Sequence, residues 1–217
     1  MDPKPKELRR TRQGFVQRFA QLLHFGASCI ALLALLGQPA LSEEPISTAE
    51  RRLFVDDHLK SVPGSATLRY NFSKTGSYEQ NFDDKVLLSV KLNGNSKSCH
   101  VEFLSGNRKF VLPEVEAATG NPVVLSFLER DIREMHRITT GPANHFRRQV
   151  RLALANEAEV KPITFQFEGE DYKGQQITIT PYEDDPMRPR FERFSNKTYV
   201  IRLSDQIPGT IDRKSVV

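Results

Sequence analysis

NPVVLSFLERDIREMHRITTGPANHFRRQVRLAL, residues 121–154, is the stretch on which the fold turns. Leu125, Leu128, Ile132 and Met135 recur at helical spacing, with Val124 and Phe127 widening the stripe, the period of an amphipathic helix. Asn121-Pro122 supplies an N-cap and a proline at the first helical position. Glu129–Arg133 and Arg130–Glu134 stand one turn apart as pairs on the solvated side. Gly141-Pro142 closes this helix and opens a second, which carries Phe146, Val150, Ala153 and Leu154. So tight a joint predicts a helical hairpin over 121–156.

On either side the period changes to two. Leu68, Tyr70 and Phe72 share one face; Val86, Leu88, Val90 and Leu92 form a second set, ended by the hairpin signal Asn93-Gly94. Cys99, Val101 and Phe103 return, and Gly106-Asn107 turns the chain into Lys109 to Leu112. After the helices come Ile163, Phe165 and Phe167, then a polar connection from Gly169 to Gly174, then Ile177 and Ile179. Thr198 to Leu203 completes the series, and Asp212 to Val217 reads as frayed. Ahead of the strands, Ser47-Thr48-Ala49-Glu50 has capping-box spacing and predicts a short helix over 47–60. Strands, a helix pair, then strands again make an α+β chain. The expectation is a curved antiparallel sheet of seven or eight strands, from segments 66–112 and 160–210, packed on the helical hairpin.

Residues 1–42 read as a signal peptide. Lys4, Lys6, Arg9, Arg10, Arg12 and Arg18 form a basic region, Phe25 to Leu36 an uncharged apolar run, and Ala40-Leu41-Ser42 a small-residue cleavage site. An uncleaved membrane anchor is the competing reading of the same segment. Cleavage leaves one domain, 43–217, exported to a periplasm or secreted and not membrane-spanning. The whole chain has 31 Lys+Arg and 27 Asp+Glu; the leader holds six of the former and two of the latter, leaving 25 of each. The pI of about 9.1 therefore belongs largely to the leader, and a nucleic-acid partner loses its electrostatic support. Cys99 is the one cysteine outside the leader, so no disulfide holds the domain, and its alternation with Val101 and Phe103 places it on a buried strand face.

The sequence has no phosphate-binding Gly-Lys loop, no nucleophile elbow, no His-Glu-x-x-His and no Cys-x-x-Cys. No enzyme, cofactor or metal is expected on that basis. His136 and His145 flank the Gly141-Pro142 joint and invite a metal reading with Asp131 or Glu134 as a third ligand, and Glu183-Asp184-Asp185 invites calcium. Surface histidines and a hydrated acidic loop are the simpler expectations. The hairpin carries Arg130, Arg133, Arg137, Arg147, Arg148 and Arg151 against Glu129, Asp131 and Glu134. Arg133, Arg137, Arg147, Arg148 and Arg151 are the candidate contacts for an anionic ligand or an acidic partner. Phe72, Phe103, Phe127, Phe146, Phe165 and Phe167 fall on inward positions and suggest an apolar pocket between sheet and helices. The inferred architecture is similar in outline to periplasmic lipoprotein carriers and related half-barrel proteins, though no motif is shared and no residue is carried over. Three functions follow as expectations, in this order. The first is a non-enzymatic exported protein that binds a lipid or other apolar or amphipathic ligand; the second is a scaffold of a cell-envelope complex that uses the arginine-bearing hairpin; the third is an unrecognised enzyme assembled from scattered residues.

Overall fold

In the computed structural model, which describes residues 45–76 and 80–217, a serine starts the first element. Ser47 Oγ accepts from the Glu50 amide at 3.0 Å, and the Ser47 amide donates to the Glu50 carboxylate at 3.1 Å, so the capping box forms as its spacing requires. The same Ser47 hydroxyl donates to the carbonyl of Leu154 at 2.8 Å. Helix α1 (Thr48–Glu50) continues as a π-helical turn over Arg51–Val55, where the helical path ends, short of residue 60. Beyond it Leu59 and Val62 are buried in a core instead of extending a helix. The leader reading for residues 1–42 lies outside the described residues.

Strands β1 (Ala66–Lys74), β2 (Phe82–Asn93), β3 (Ser96–Phe103) and β4 (Phe110–Val111) pair antiparallel in chain order. The register places Leu68 beside Leu88, Val86 beside Phe103, and Val90 beside Cys99, so the apolar set of each strand meets the next on one face. Cys99 is buried there, and burial raises its thiol pKa. The β2–β3 loop is Gly94-Asn95, one residue beyond the Asn93-Gly94 expected: Asn93 pairs with Ser96, and Gly94 takes the positive φ of 61° that the turn demands.

Helices α2 (Val123–Thr139) and α3 (Ala143–Asn156) form the hairpin where the sequence places it. Pro122 occupies the N-cap position, and Asn121 caps from one residue earlier, its Oδ1 accepting from the Val123 amide at 3.1 Å. Val124, Leu128, Ile132 and Met135 make the buried stripe, whereas Leu125, one step of about 100° further round the helix, is 54% exposed.

Strands β5 (Glu159–Phe167), β6 (Glu170–Ile179), β7 (Tyr199–Leu203) and β8 (Ile211–Val216) form a second antiparallel meander. The segment from Gly169 to Gly174 is not a connection: β6 begins at Glu170, after a Glu168-Gly169 loop with φ of 52° and 89°. Nor does the end fray, since β8 pairs with β7 and Thr198 exchanges backbone hydrogen bonds with Val217. Pro162 is tolerated because β5 is an edge strand.

The eight strands therefore build two four-stranded sheets, not one curved sheet of seven or eight. Each pairing joins neighbours in the chain, the connections that cost least to close. A junction between the sheets would need β1 or β4 to pair with β5 or β8. β4 has only two residues, and β1 and β8 line a common cleft instead of pairing. Helix α2 belongs to both halves. Val123 packs in the core of the first sheet, while Val124, Leu128, Ile132 and Met135 join α3 and the inner face of the second; Tyr70 and Phe127 touch both cores.

Candidate ligand-binding cleft

A cleft of about 1150 Å³ opens between the edges of β1 and β8 that have no partner strand among the described residues. Its lining includes every residue from Thr67 to Gly76 and from Ile211 to Val217. A strand that offers one face to a cavity contributes alternate residues; contiguous runs mean that the strand edges themselves look into it. The inward side chains of β1 are accordingly half-buried, while Val86, Leu88 and Val90 on neighbouring β2 are fully buried.

Helix α2 contributes a second stripe beside its apolar one. Phe127, Asp131, Glu134 and Ile138 follow at four-, three- and four-residue intervals and all line the cleft. Of the six phenylalanines expected to point inward, Phe103, Phe146 and Phe165 are buried, and Phe72, Phe127 and Phe167 are half-buried along the cleft.

The two acids of this stripe are satisfied by cations from the segments facing α2 and from α2 itself. Lys74 of β1 reaches Glu134 Oε1 at 2.5 Å, and Arg130 reaches Oε2 at 2.9 Å. Burial by itself would raise the Glu134 pKa, but the Lys74 hydrogen bond and the charges of Lys74, Arg130 and Lys197 hold it below the ordinary value. Lys197 donates to both oxygens of Asp131, at 2.7 and 2.9 Å. The Tyr199 hydroxyl also donates to Asp131 and in turn faces the Tyr182 hydroxyl at 3.3 Å. With its proton committed to Asp131, Tyr199 accepts from Tyr182. Burial raises both phenol pKa values, so both stay neutral donors. These bonds pin β1 and the lead-in to β7 onto α2.

Tyr70, one of the lining residues, is tied into a polar knot. Asn121 Nδ2 donates to the Tyr70 hydroxyl and to the Gly209 carbonyl, each at 2.8 Å, and the Asn121 amide donates to His58 Nδ1 at 3.0 Å. His58 Nδ1 is thereby the acceptor, so Nε2 carries the proton and donates to the Arg52 carbonyl at 2.6 Å. Burial lowers the His58 pKa, consistent with a neutral ring whose two nitrogens are both used. Gly209, at φ 72°, allows the strands to meet here: a Cβ would lie 2.5 Å from Leu68 Cδ1.

On the opposite wall Lys214 projects from β8. It pairs across the sheet with the buried Ile201, and so lies on the inner face of the sheet. The residue is half-buried and its Nζ lies 4.9 Å from the centre of the Tyr70 ring, within cation–π range. Desolvation pulls the amine down to about 7. Tyr70 shifts the other way, pushed up by burial to about 12 against the pull of its Asn121 bond.

The arginines singled out from the sequence lie elsewhere. Arg147 bonds Glu129 at 2.8 Å, Arg133 approaches the same carboxylate at 3.4 Å and stacks over Phe110 at 4.2 Å, and Arg137, Arg148 and Arg151 are exposed. None of the five lines the cleft. His136 and His145 do not converge: His136 Nδ1 meets the Gly141 carbonyl at 2.7 Å, and His145 Nε2 meets Asp185 at 2.6 Å. Asp185 is buried in that contact and also accepts from the Met187 amide, which gives the acidic loop an internal role. Among the described residues no group of three or more His, Cys, Asp or Glu is placed to hold a metal ion, and no helix is long and apolar enough to cross a membrane. Comparison of the chain with protein-family models, curated proteins and solved structures finds no match.

Proposed function

We propose that this is an exported, non-enzymatic binding protein whose cleft between β1 and β8 holds an apolar or amphipathic ligand. The observation that carries the reading is the cleft itself. It slightly exceeds the roughly 300–1,000 Å³ usual for small-molecule sites, and Leu68, Phe72, Phe127, Ile138, Phe167 and Val216 give it apolar walls. Its floor carboxylates are engaged by cations, an arrangement that fixes the width of the groove without leaving Asp131 or Glu134 free for proton transfer.

The chain has no tryptophan, so Phe167→Trp places a single, selectively excitable tryptophan at the cleft. Titration with a long-chain alcohol is expected to shift and quench its emission saturably, and organic extraction of natively purified protein to release a bound lipid. Unchanged emission together with an empty extract removes the proposal. A second reading rests on the outer face of the hairpin, where Arg137, Arg148 and Arg151 stand exposed without an ion pair among the described residues. Under it, Arg148→Glu leaves the melt unchanged and abolishes capture of an acidic envelope partner, with no effect on the Trp titration.

A further inference from the structure

We propose that Lys214 and Tyr70 form the head-group site of the cleft, selecting amphiphiles that end in a single carboxylate. This deepens the binding reading above and rests on it. Three observations point the same way. First, Lys74, Arg130 and Lys197 are matched to Glu134 or Asp131, whereas the Lys214 ammonium has neither a hydrogen bond nor an ion pair among the described residues, only the Tyr70 ring. Second, the Tyr70 hydroxyl accepts from Asn121 but has no acceptor for its own hydrogen among the described residues. The Lys214 ammonium and the Tyr70 phenol thus share the lining of a groove with both apolar and charged walls, two donors suited to the two oxygens of one carboxylate. Third, the charge count is one. Arg69, Arg193 and Arg213 also line the cleft but are exposed, so beside Tyr70 a monoanion is neutralised by Lys214, and a phosphate dianion is not.

The depressed amine supports the assignment. It reflects a cation held among desolvating groups with no counter-charge to stabilise it, and a ligand carboxylate supplies that charge. The sequence hid this lysine in a segment that reads as a frayed end; only pairing with β7 turns its side chain inward.

Calorimetric titration of the full chain with decanoate and decanol, at about pH 6 where amine and carboxylate are both charged, tests the site. Decanoate is expected to bind about tenfold tighter than decanol, the scale of one charge-assisted hydrogen bond. Lys214→Met should erase the advantage over decanol while leaving decanol affinity unchanged; Lys214→Arg should retain it; Tyr70→Phe should reduce it. Decanol bound with no carboxylate preference, or a preference that survives in Lys214→Met, overturns the head-group assignment and leaves the cleft reading standing. Failure of both probes to bind overturns both.

Discussion

Helix α2 carries ion pairs on two faces, and they differ in water more than in chemistry. On the cleft face Lys74–Glu134 spans 2.5 Å with side chains 22% and 7% exposed; on the outer face Arg147–Glu129 spans 2.8 Å with side chains 44% and 23% exposed. The sequence advertises Glu129–Arg133 and Arg130–Glu134 alike as solvated pairs, but only the first lies outside; Glu134 is buried on the cleft face, where Lys74 joins Arg130 on its carboxylate. Solvent competes for exposed partners and screens them, so such pairs contribute little. The inner acids have been taken from water and depend on their cations, so removing one partner leaves a desolvated group unmatched. Conspicuous charge marks the solvated side of this hairpin; charge scarce enough to be matched atom for atom marks the groove.

The contrast breaks most readily at Asp131. Asp131→Ala strands Lys197 and the Tyr199 hydroxyl together, and denaturant melts should show a loss of about 3–5 kcal/mol. A loss under about 1 kcal/mol would mean that water reaches the inner network as freely as the outer one. Glu134→Gln removes one charge but keeps a hydrogen-bonding shape, with an expected cost of about 2 kcal/mol at neutral pH. Because the folded carboxylate lies below its ordinary 4.5, its contribution is present above that value and fades as pH falls below it. The gap between wild type and Glu134→Gln should therefore close in acid. Buried His58, lowered from 6.5, also costs stability as pH drops below that value, but it is common to both proteins and cancels in their difference. A gap that stays constant down to about pH 3 would dissociate Glu134 from the ion-pair account. Tyr199→Phe, which deletes one donor to Asp131, should cost about 1 kcal/mol. Glu129→Ala on the outer face should change stability by no more than about 0.5 kcal/mol; a loss above 1.5 kcal/mol would erase the distinction between the faces.

Much of the chain was legible by period. The alternation in Val86, Leu88 and Val90 and in Cys99, Val101 and Phe103 reports burial of one face, and the strands formed there. The helical stripe and the Gly141-Pro142 joint gave the hairpin. The Asn121 cap was visible too, though its side-chain amide also ties the Tyr70 hydroxyl to the Gly209 carbonyl, a role that depends on Tyr70 and Gly209 arriving from far along the chain. Of the cleft, the stripe Phe127, Asp131, Glu134 and Ile138 was a signal within reach: two acids on an otherwise apolar line at helical spacing. Lys74, Lys197 and Lys214 carried none, since a lysine at a strand end or in a loop looks the same whether it meets water or a buried carboxylate.

Local order thus came from the sequence alone: which segments extend, which coil, and where each turns, because those choices follow from side-chain period and from backbone freedom at a few residues such as Gly94. Tertiary structure decided that eight strands close into two sheets and leave β1 and β8 facing one another over α2. The reason is physical. Period tells a strand which face to bury, whereas an edge is defined by the absence of a neighbour, and no residue in β1 or β8 records which strand fails to pair with it.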